Sequence, residues 1–156
     1  MKKAVYSGSF DPITNGHIDV LKRAVEVFDE VTILVADNNA KSSRFSVEER
    51  LEMIKDATKD MKGVKVDYTD GLTVEYAKKI GATHLVRGIR TVTDFEYEFS
   101  LAAANRFIDK SIDIVFFMAN SESSIISSSS VDQLAKSGID ISNLVPDSVV
   151  KMYQKK

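Results

Sequence analysis

The sequence contains no cysteine and only two histidines. Without cysteine, the chain has no disulfide framework, no zinc–thiolate site and no catalytic thiol. The two histidines, His17 and His84, lack the spacing of a metal-binding pair. No apolar run approaches the roughly 18 residues that span a bilayer, and the chain enters a strand at once, without the apolar segment of a signal peptide. We therefore expect a cytoplasmic protein.

The sequence also lacks an excess of charge of one sign. Its 21 lysines and arginines nearly balance its 23 aspartates and glutamates, which gives a net charge of −2. Such a charge provides no strong field for nonspecific binding to nucleic acid. The sequence has no GxxxxGK[ST] string, which argues against a P-loop kinase. It has no GxGxxG after its first strand, which argues against a dinucleotide-dependent oxidoreductase.

Length and composition are typical of one globular domain. Hydrophobic residues make up 44% of the chain and charged residues 28%, as in ordinary soluble proteins. A chain of 156 residues is long enough to bury a full core. We find no linker, no fixed repeat and no charge block, and we interpret the serine-rich segment 121–130 as a loop. These features predict a single domain over residues 1–156.

Strand-like and helical patterns alternate along the chain. Five apolar or β-branched runs predict strands, and the segments between them show helical spacing and N-capping signals. The predicted strands cover residues 4–6, 30–36, 64–69, 83–87 and 113–119. The predicted helices start near residue 15 and then cover about residues 46–59, 72–80, 93–108, 130–136 and 147–154. This alternation predicts an α/β fold with a doubly wound, five-stranded parallel sheet that is covered by helices on both faces.

The fourth helix is predicted to be long and to contribute to the core. Aromatic residues at helical spacing are typical of a core-facing surface. We expect Thr93 to cap this helix and Phe95, Phe99, Ala102 and Phe107 to face the core.

Functional residues are expected at one edge of the sheet. In a doubly wound sheet, ligands bind at the carboxyl ends of the strands. The loops at that edge are predicted at residues 7–14, 37–45, 70–73, 88–92 and 120–129. Side chains that carry the chemistry should lie in these loops or in the helical turns that follow them.

The first of these loops has the features of an anion site. Gly8 lets the chain turn, and Pro12 stiffens the middle of the loop. Thr14 suits an N-cap, which places His17 in the first helical turn, and a helix N-terminus attracts phosphate. Together with Ser9 across the loop, His17 predicts a small anion-facing site, although an isolated histidine in a first turn is often only a surface residue.

Three later segments carry groups that suit phosphate. Arg87 and Arg90 flank Gly88 and can face one anion, and Lys41 lies in the loop after the second strand. Residues 126–129 supply serine hydroxyls before a helix. Each segment has a structural alternative, which is solvated charge for the basic residues and a flexible loop for the serines. Their positions at the ligand edge of the sheet favour the functional interpretation.

These segments together resemble a known family. The string Thr14-Asn15-Gly16-His17 is similar to the signature of the nucleotidylyltransferase superfamily. The preceding residues 8–12 narrow the resemblance to the phosphopantetheine adenylyltransferases of bacterial type, and the runs 87–98 and 126–129 match that family in the expected order. The resemblance extends over about residues 5–131.

The sequence departs from the family pattern at three positions. Ser7, Ala40 and Ser123 stand where the family usually has a proline, a proline and an aromatic residue. The first change loosens a turn, and the last alters packing on the nucleotide. None of them removes a group that would hold phosphate.

The resemblance implies a set of site residues. It implies catalytic roles for His17, Lys41 and Ser9. The implied ATP-binding residues are Ser9, Phe10, His17, Gly88, Ile89, Arg90, Glu98, Ser123, Ser124, Ile125, Ile126, Ser127, Ser128 and Ser129. The implied acceptor-binding residues are Ser9, Lys41, Thr73, Arg87, Leu101 and Asn105. It implies no metal site made by the protein, with Mg²⁺ carried by the phosphates of ATP.

The resemblance also implies a Rossmann-like fold and an adenylyl-transfer activity. The phosphate of 4′-phosphopantetheine would attack the α-phosphorus of ATP in line and release pyrophosphate, helped by positioning and charge stabilisation. His17 would donate to an α-phosphate oxygen, Ser9 and Lys41 would hold the attacking phosphate and the α-phosphate, and Arg90 with the serines would hold the β- and γ-phosphates. Further implied partners are coenzyme A as a feedback ligand and other copies of the chain in a homohexamer.

The residues leave two alternatives open. One is a sister adenylyl- or cytidylyltransferase that uses nicotinate mononucleotide, glycerol phosphate or choline phosphate, and the run 87–98 argues against it. The other is a nucleotide-sensing module without turnover. The presence of His17, Lys41 and two arginines argues against this second alternative.

Overall fold

Five parallel strands form a sheet in the computed structural model, which describes residues 1–36, 42–119 and 126–156. The strands are β1 (Lys3–Gly8), β2 (Glu30–Ala36), β3 (Val64–Thr69), β4 (His84–Ile89) and β5 (Asp113–Met118). The helices in these ranges are α1 (Asn15–Val27), α2 (Val47–Thr58), α3 (Thr73–Lys79), α4 (Val92–Ile108), α5 (Ser128–Lys136) and α6 (Asp147–Gln154). None of them is long and apolar enough to cross a membrane.

The strand order is β3-β2-β1-β4-β5, with every neighbouring pair parallel. The chain therefore begins in the middle of the sheet, moves outward through β2 and β3, and returns to the other side for β4 and β5. The direction reverses between β1 and β4, and this is the switch point at which doubly wound folds bind ligands. The predicted fold class is confirmed.

The central strands are buried on both faces, which explains why their sequences are continuously apolar. On one face, Val5 and Leu34 pack with Val74 and Ala77 of α3. On the other face, alternate residues of the same strands, such as Ile33, join a larger cluster with residues of α1, α2, α5 and α6. Helices thus cover both faces of the sheet, as the sequence predicts.

Capping residues define the ends of two helices. Ser46 and Glu49 form a complete capping box at the start of α2, as predicted. The prediction for the N-cap of α4 is wrong by two residues, because Thr91 rather than Thr93 is the N-cap. Thr91 has extended backbone angles, and its hydroxyl accepts a hydrogen bond from the Asp94 N–H at 3.1 Å. Thr93 lies inside the first turn.

The predicted core positions of α4 are also wrong. Phe95, Phe99 and Phe107 are 48%, 64% and 90% exposed, and Ala102 is half-buried. The buried residue of this helix is Glu98, so the inward side of α4 carries a carboxylate instead of an aromatic ring. The aromatic spacing therefore marks an apolar face that the described part of the chain leaves exposed.

The carboxylate of Asp11 joins the loop after β1 to the segment before α2. Asp11 is 6% exposed. Its Oδ2 accepts from the Arg44 backbone N–H at 2.7 Å, and its Oδ1 accepts from the Phe45 N–H at 2.9 Å. One buried and one partly buried N–H group of a distant segment are thereby satisfied by one side chain, which sets the position of this edge of the sheet.

Arg50 strengthens the same connection from within α2. This arginine is 1% exposed, and its Nη1 donates to the Ser9 carbonyl at 3.0 Å. Its Nε donates to the Ser46 carbonyl at 3.3 Å. A buried guanidinium requires such acceptors, so the loop after β1 is held by a carboxylate on one side and a cation on the other.

Asp11→Ala should lower the free energy of unfolding by about 3 kcal/mol, because it leaves one buried and one partly buried N–H group without an acceptor. Urea unfolding followed by far-UV circular dichroism would measure this loss. The exposed Asp60→Ala provides a control and should change stability by no more than about 0.5 kcal/mol. Equal stability of the Asp11 variant and the wild type would contradict the role assigned to this carboxylate.

Candidate functional site

A cleft of about 310 Å³ lies at the carboxyl ends of β1 and β4. Its walls come from the loop after β1, the end of β4, the first turns of α4 and the N-terminus of α5. Of the predicted site residues, it is lined by Ser9, Phe10, His17, Arg87, Gly88, Ile89, Arg90, Glu98, Ser127, Ser128 and Ser129. The loops after three separate strands therefore meet in one cleft, which is what a parallel doubly wound sheet requires.

Other predicted site residues do not line this cleft. Thr73 begins α3, and Leu101 and Asn105 lie further along α4. Ile126 packs against the hydrophobic core. Lys41, Ser123, Ser124 and Ile125 lie outside the described residues.

The loop after β1 has an unusual backbone. Phe10 has φ of 45°, and a cis peptide bond joins Asp11 to Pro12. A non-glycine residue with positive φ costs on the order of 1–3 kcal/mol, which the packing of the buried ring offsets. The Phe10 ring packs edge-on against Tyr6 and His17, with centroids 5.2 Å and 4.9 Å away. The ring of His17 is thus held in place by an aromatic neighbour.

The protonation of His17 follows from its surroundings. Its Nδ1 accepts a hydrogen bond from the Thr14 backbone N–H at 2.9 Å. Burial, together with the positive charges of Arg90 and Arg87, lowers the pKa of His17 to about 3. The imidazole is therefore neutral at physiological pH, and its proton must be on Nε2, because Nδ1 is an acceptor. His17 offers a fixed N–H donor in a cleft that suits an anion.

Arg87 and Glu98 form a bidentate ion pair. The Arg87 Nε and Nη2 contact the two Glu98 oxygens at 2.8 Å and 2.5 Å, and Nη1 donates to the Ser7 carbonyl at 2.7 Å. Burial disfavours the arginine cation, but the hydrogen bond and charge of Glu98 outweigh it and raise the pKa of Arg87. The resemblance assigns these residues to different ligands, whereas here they touch and must act as one unit.

The end of β4 places Arg90 on the rim of the cleft. Its Nε contacts the Asp94 Oδ2 at 3.3 Å, and its backbone N–H donates to the same oxygen at 3.2 Å. Gly88 lies behind it, where a Cβ atom would come within 3.3 Å of Val20 Cγ2. The glycine therefore allows the end of β4 to approach α1 closely, in addition to the ligand access inferred from the sequence.

Two helices begin at the cleft. Ser127 is the N-cap of α5, and its hydroxyl accepts from the Ser130 N–H at 3.1 Å. The helix therefore starts at Ser128, two residues earlier than predicted. The Ser128 hydroxyl donates to the Pro12 carbonyl at 2.7 Å, which docks α5 on the loop that precedes α1. Thr14, the N-cap of α1, lines the same cleft, so both helix N-termini give it positive potential.

Arg44 and Asp94 also line the cleft, and neither belongs to the predicted set of site residues. Arg44 lies in the loop after β2, which the topology places at the ligand edge of the sheet. Its position in the chain could therefore have identified it as a candidate site residue. Asp94 lies in the first turn of α4 and is paired with Arg90. Among residues 1–36, 42–119 and 126–156, no group of three or more histidine, aspartate and glutamate side chains is arranged to hold a metal ion.

Comparison with known proteins gives consistent matches over the chain. The family model described as cytidylyltransferase-like matches residues 5–134. The phosphopantetheine adenylyltransferase of Caldanaerobacter subterraneus subsp. tengcongensis is 45% identical over 100% of this chain and 98% of its own length. That of Lachnoclostridium phytofermentans is 47% identical over 100% of this chain and 96% of its own length.

Solved structures share the fold. A protein of Vibrio parahaemolyticus, provisionally named as a nicotinate-nucleotide adenylyltransferase, has a TM-score of 0.76 and 20% identity over 99% of both chains. A lipopolysaccharide core biosynthesis protein of Thermoplasma volcanium has a TM-score of 0.59 and 21% identity, covering 78% of this chain and 99% of that one. At these identities the likeness establishes the architecture.

The His17 imidazole should remain neutral between about pH 5 and 8, the range in which an ordinary histidine titrates. Because the folded pKa is about 3 and the ordinary value is 6.5, the unfolded chain takes up this proton first. Stability contributed by His17 is therefore present above pH 6.5 and is lost as the pH falls toward 3. A ¹H–¹³C NMR titration would check this, with His17→Gln assigning the resonance. A titration midpoint near 6.5 would contradict it.

Proposed function

The chain belongs to the phosphopantetheine adenylyltransferases of the cytidylyltransferase-like family, and on this premise we propose how its cleft carries out their reaction. The enzyme is a nucleotidyltransferase of coenzyme A biosynthesis. It transfers the adenylyl group of ATP to 4′-phosphopantetheine and so forms dephospho-coenzyme A and pyrophosphate. The observation that carries the mechanism is the neutral His17, fixed as an Nε2–H donor in the cleft at which α1 and α5 begin.

The transfer needs positioning and charge stabilisation more than proton chemistry. The attacking phosphate is already ionised at neutral pH, so no general base is required. As the oxygen attacks the α-phosphorus in line, negative charge grows on the phosphoryl oxygens and on the leaving pyrophosphate. His17 donates from Nε2 to an α-phosphate oxygen in this transition state, and Ser9 and Lys41 hold the attacking phosphate and the α-phosphate.

ATP occupies the side of the cleft formed by β4 and α5. Arg90 and the hydroxyls of Ser127, Ser128 and Ser129 hold the β- and γ-phosphates, supported by the α5 N-terminus. Phe10, Gly88, Ile89 and Glu98 form the neighbouring wall. The segment containing Ser123, Ser124, Ile125 and Ile126 completes the nucleotide site in this proposal.

The acceptor occupies the other side, toward α3 and α4. Lys41 and Arg87 hold its phosphate end, and Thr73, Leu101 and Asn105 contact the pantetheine part. Because Arg87 is bound to Glu98, the two ligand sites share an ion pair. Occupation of one site can thereby influence the other.

Magnesium accompanies the nucleotide in this proposal. Mg²⁺ retains several waters and is usually held by substrate phosphates and one or two carboxylates. The cleft carboxylates, Asp94 and Glu98, are each paired with an arginine, so the phosphates of ATP supply the principal ligands. The ion would neutralise charge that develops on the pyrophosphate.

Assembly and regulation extend the proposal. We propose one domain over residues 1–156, a cytoplasmic location, feedback by coenzyme A, and a homohexamer. The exposed apolar face of α4 supports self-association, since contiguous apolar patches on soluble proteins commonly mark interfaces. That face is formed by Val92, Phe95, Phe99 and Phe107.

The activity is tested by measuring pyrophosphate release from ATP with different acceptors. We expect release with 4′-phosphopantetheine and none above background with nicotinate mononucleotide, glycerol phosphate or choline phosphate. Release with one of the other acceptors alone would identify a sister transferase. ATP binding without release from any acceptor would identify a sensing module.

His17→Ala should lower kcat by roughly 10²–10⁴-fold, because it removes a donor used in the transition state. The affinity for ATP should change little. Steady-state kinetics and calorimetry with ATP would separate these effects. His84→Ala is the matched control, since His84 lies at the opposite, amino end of β4, and its kcat should match the wild type. A wild-type kcat for the His17 variant would refute the assigned role.

Phe99→Glu should dissociate the assembly, because it places a charge in the apolar face of α4. Sedimentation velocity should show a smaller species than the wild-type protein. Val27→Glu, which changes an exposed apolar residue of α1, is the control and should keep the wild-type size. An unchanged sedimentation coefficient for the α4 variant would place the interface elsewhere.

A further inference from the structure

Arg44 is held in the cleft by contacts with two different elements, the loop after β1 and α5. Its Nη2 donates to the Ser129 Oγ at 2.8 Å, and its Nη1 donates to the Asp11 carbonyl at 2.9 Å. Its Nε lies 3.3 Å from the Asp132 Oδ2. Its backbone N–H is bound by the Asp11 carboxylate. Both ends of the side chain are therefore fixed, and the guanidinium has one orientation relative to α5.

The carboxylate of Asp132 is itself fixed. It is 7% exposed, accepts from the Tyr153 hydroxyl at 2.8 Å, and pairs with the Lys136 ammonium at 3.0 Å. Tyr153 lies on α6 and Lys136 ends α5. The contact between Arg44 and Asp132 thus ties the wall of the cleft to the packed C-terminal helices.

The bond from Arg44 determines what the Ser129 hydroxyl can do. A guanidinium only donates hydrogen bonds, so the Ser129 oxygen must be the acceptor. The hydroxyl proton is then left for a different acceptor. Ser129 lines the cleft in the first turn of α5, where an anionic phosphate oxygen is the acceptor that the helix N-terminus favours.

We propose that Arg44 is a positioning residue for the polyphosphate of the nucleotide. By donating to the Ser129 oxygen, it directs the hydroxyl proton toward the phosphates that leave as pyrophosphate. This inference rests on the proposed function, because it assumes that α5 faces the β- and γ-phosphates. According to this inference, Arg44 increases the affinity for pyrophosphate and ATP by orienting the Ser129 hydroxyl.

The affinity of the full-length protein for inorganic pyrophosphate, measured by calorimetry, tests this directly. Arg44→Met should weaken pyrophosphate and ATP binding roughly tenfold, the range for loss of a hydrogen bond to a charged group. Affinity for 4′-phosphopantetheine should stay within about twofold, a difference too small to represent a lost hydrogen bond. Unchanged pyrophosphate affinity, or an equal loss for 4′-phosphopantetheine, would overturn the proposal.

Lys136→Met is the matched control. It removes the other cation from Asp132 but does not touch Ser129 or line the cleft, so its pyrophosphate affinity should equal that of the wild type. A tenfold loss in this control would show that the charge balance at Asp132 matters rather than the Ser129 contact. Arg44→Lys should not restore pyrophosphate binding, because a single ammonium group cannot reproduce the several fixed N–H donors of the planar guanidinium. Wild-type pyrophosphate affinity in Arg44→Lys would overturn the proposal, because it would show that the positive charge alone is sufficient.

A double-mutant cycle separates positioning from a general structural effect. Ser129→Ala should weaken pyrophosphate binding, and Arg44→Met combined with Ser129→Ala should bind no more weakly than Ser129→Ala alone. Multiplied losses in the double variant would show independent action and overturn the proposal. Failure of wild-type turnover with 4′-phosphopantetheine would refute the proposed function, whereas the pyrophosphate cycle reports only on Arg44 and Ser129.

Discussion

The site depends on the hydrogen bonds between the buried carboxylate of Asp11 and the backbone of residues 44 and 45. A parallel sheet aligns its loops at one edge but does not fix their distances. Asp11 does so by satisfying two N–H groups of the segment before α2. The same loop receives the Ser128 hydroxyl through the Pro12 carbonyl. Residues 11 and 12 of the loop after β1 thereby position this loop and the loops after β2 and β5 around a shared space.

Electrostatics then define what the shared space can bind. Two helix N-termini and several cations make it attractive to phosphate, while the buried carboxylate of Glu98 compensates Arg87. The same positive surroundings, added to burial, keep His17 neutral. A charged imidazole would attract phosphate more strongly in every state. In the proposed mechanism, a neutral Nε2–H donor is better suited to charge that develops during transfer.

Local sequence patterns were sufficient for most elements. The predicted bounds of β2, β3 and α6 agree with those observed, and the two strands follow from β-branched runs that act within a few positions. The N-cap of α4 was misplaced because Thr91 and Thr93 are both capping residues, and only the backbone angles distinguish them. The aromatic residues of α4 were assigned to the core because helical spacing shows that a face is apolar but does not show what covers it.

The sequence by itself determined the α/β class, the order of the elements and the basic and hydroxyl side chains of the loops at the carboxyl edge. These properties follow from residue type and spacing along the chain. Only the tertiary structure decided that Arg87 is paired with Glu98, that His17 is a neutral donor, and that Arg44 reaches Ser129 across 85 positions. Such contacts depend on distances and burial between segments that the chain separates, and no local pattern encodes them.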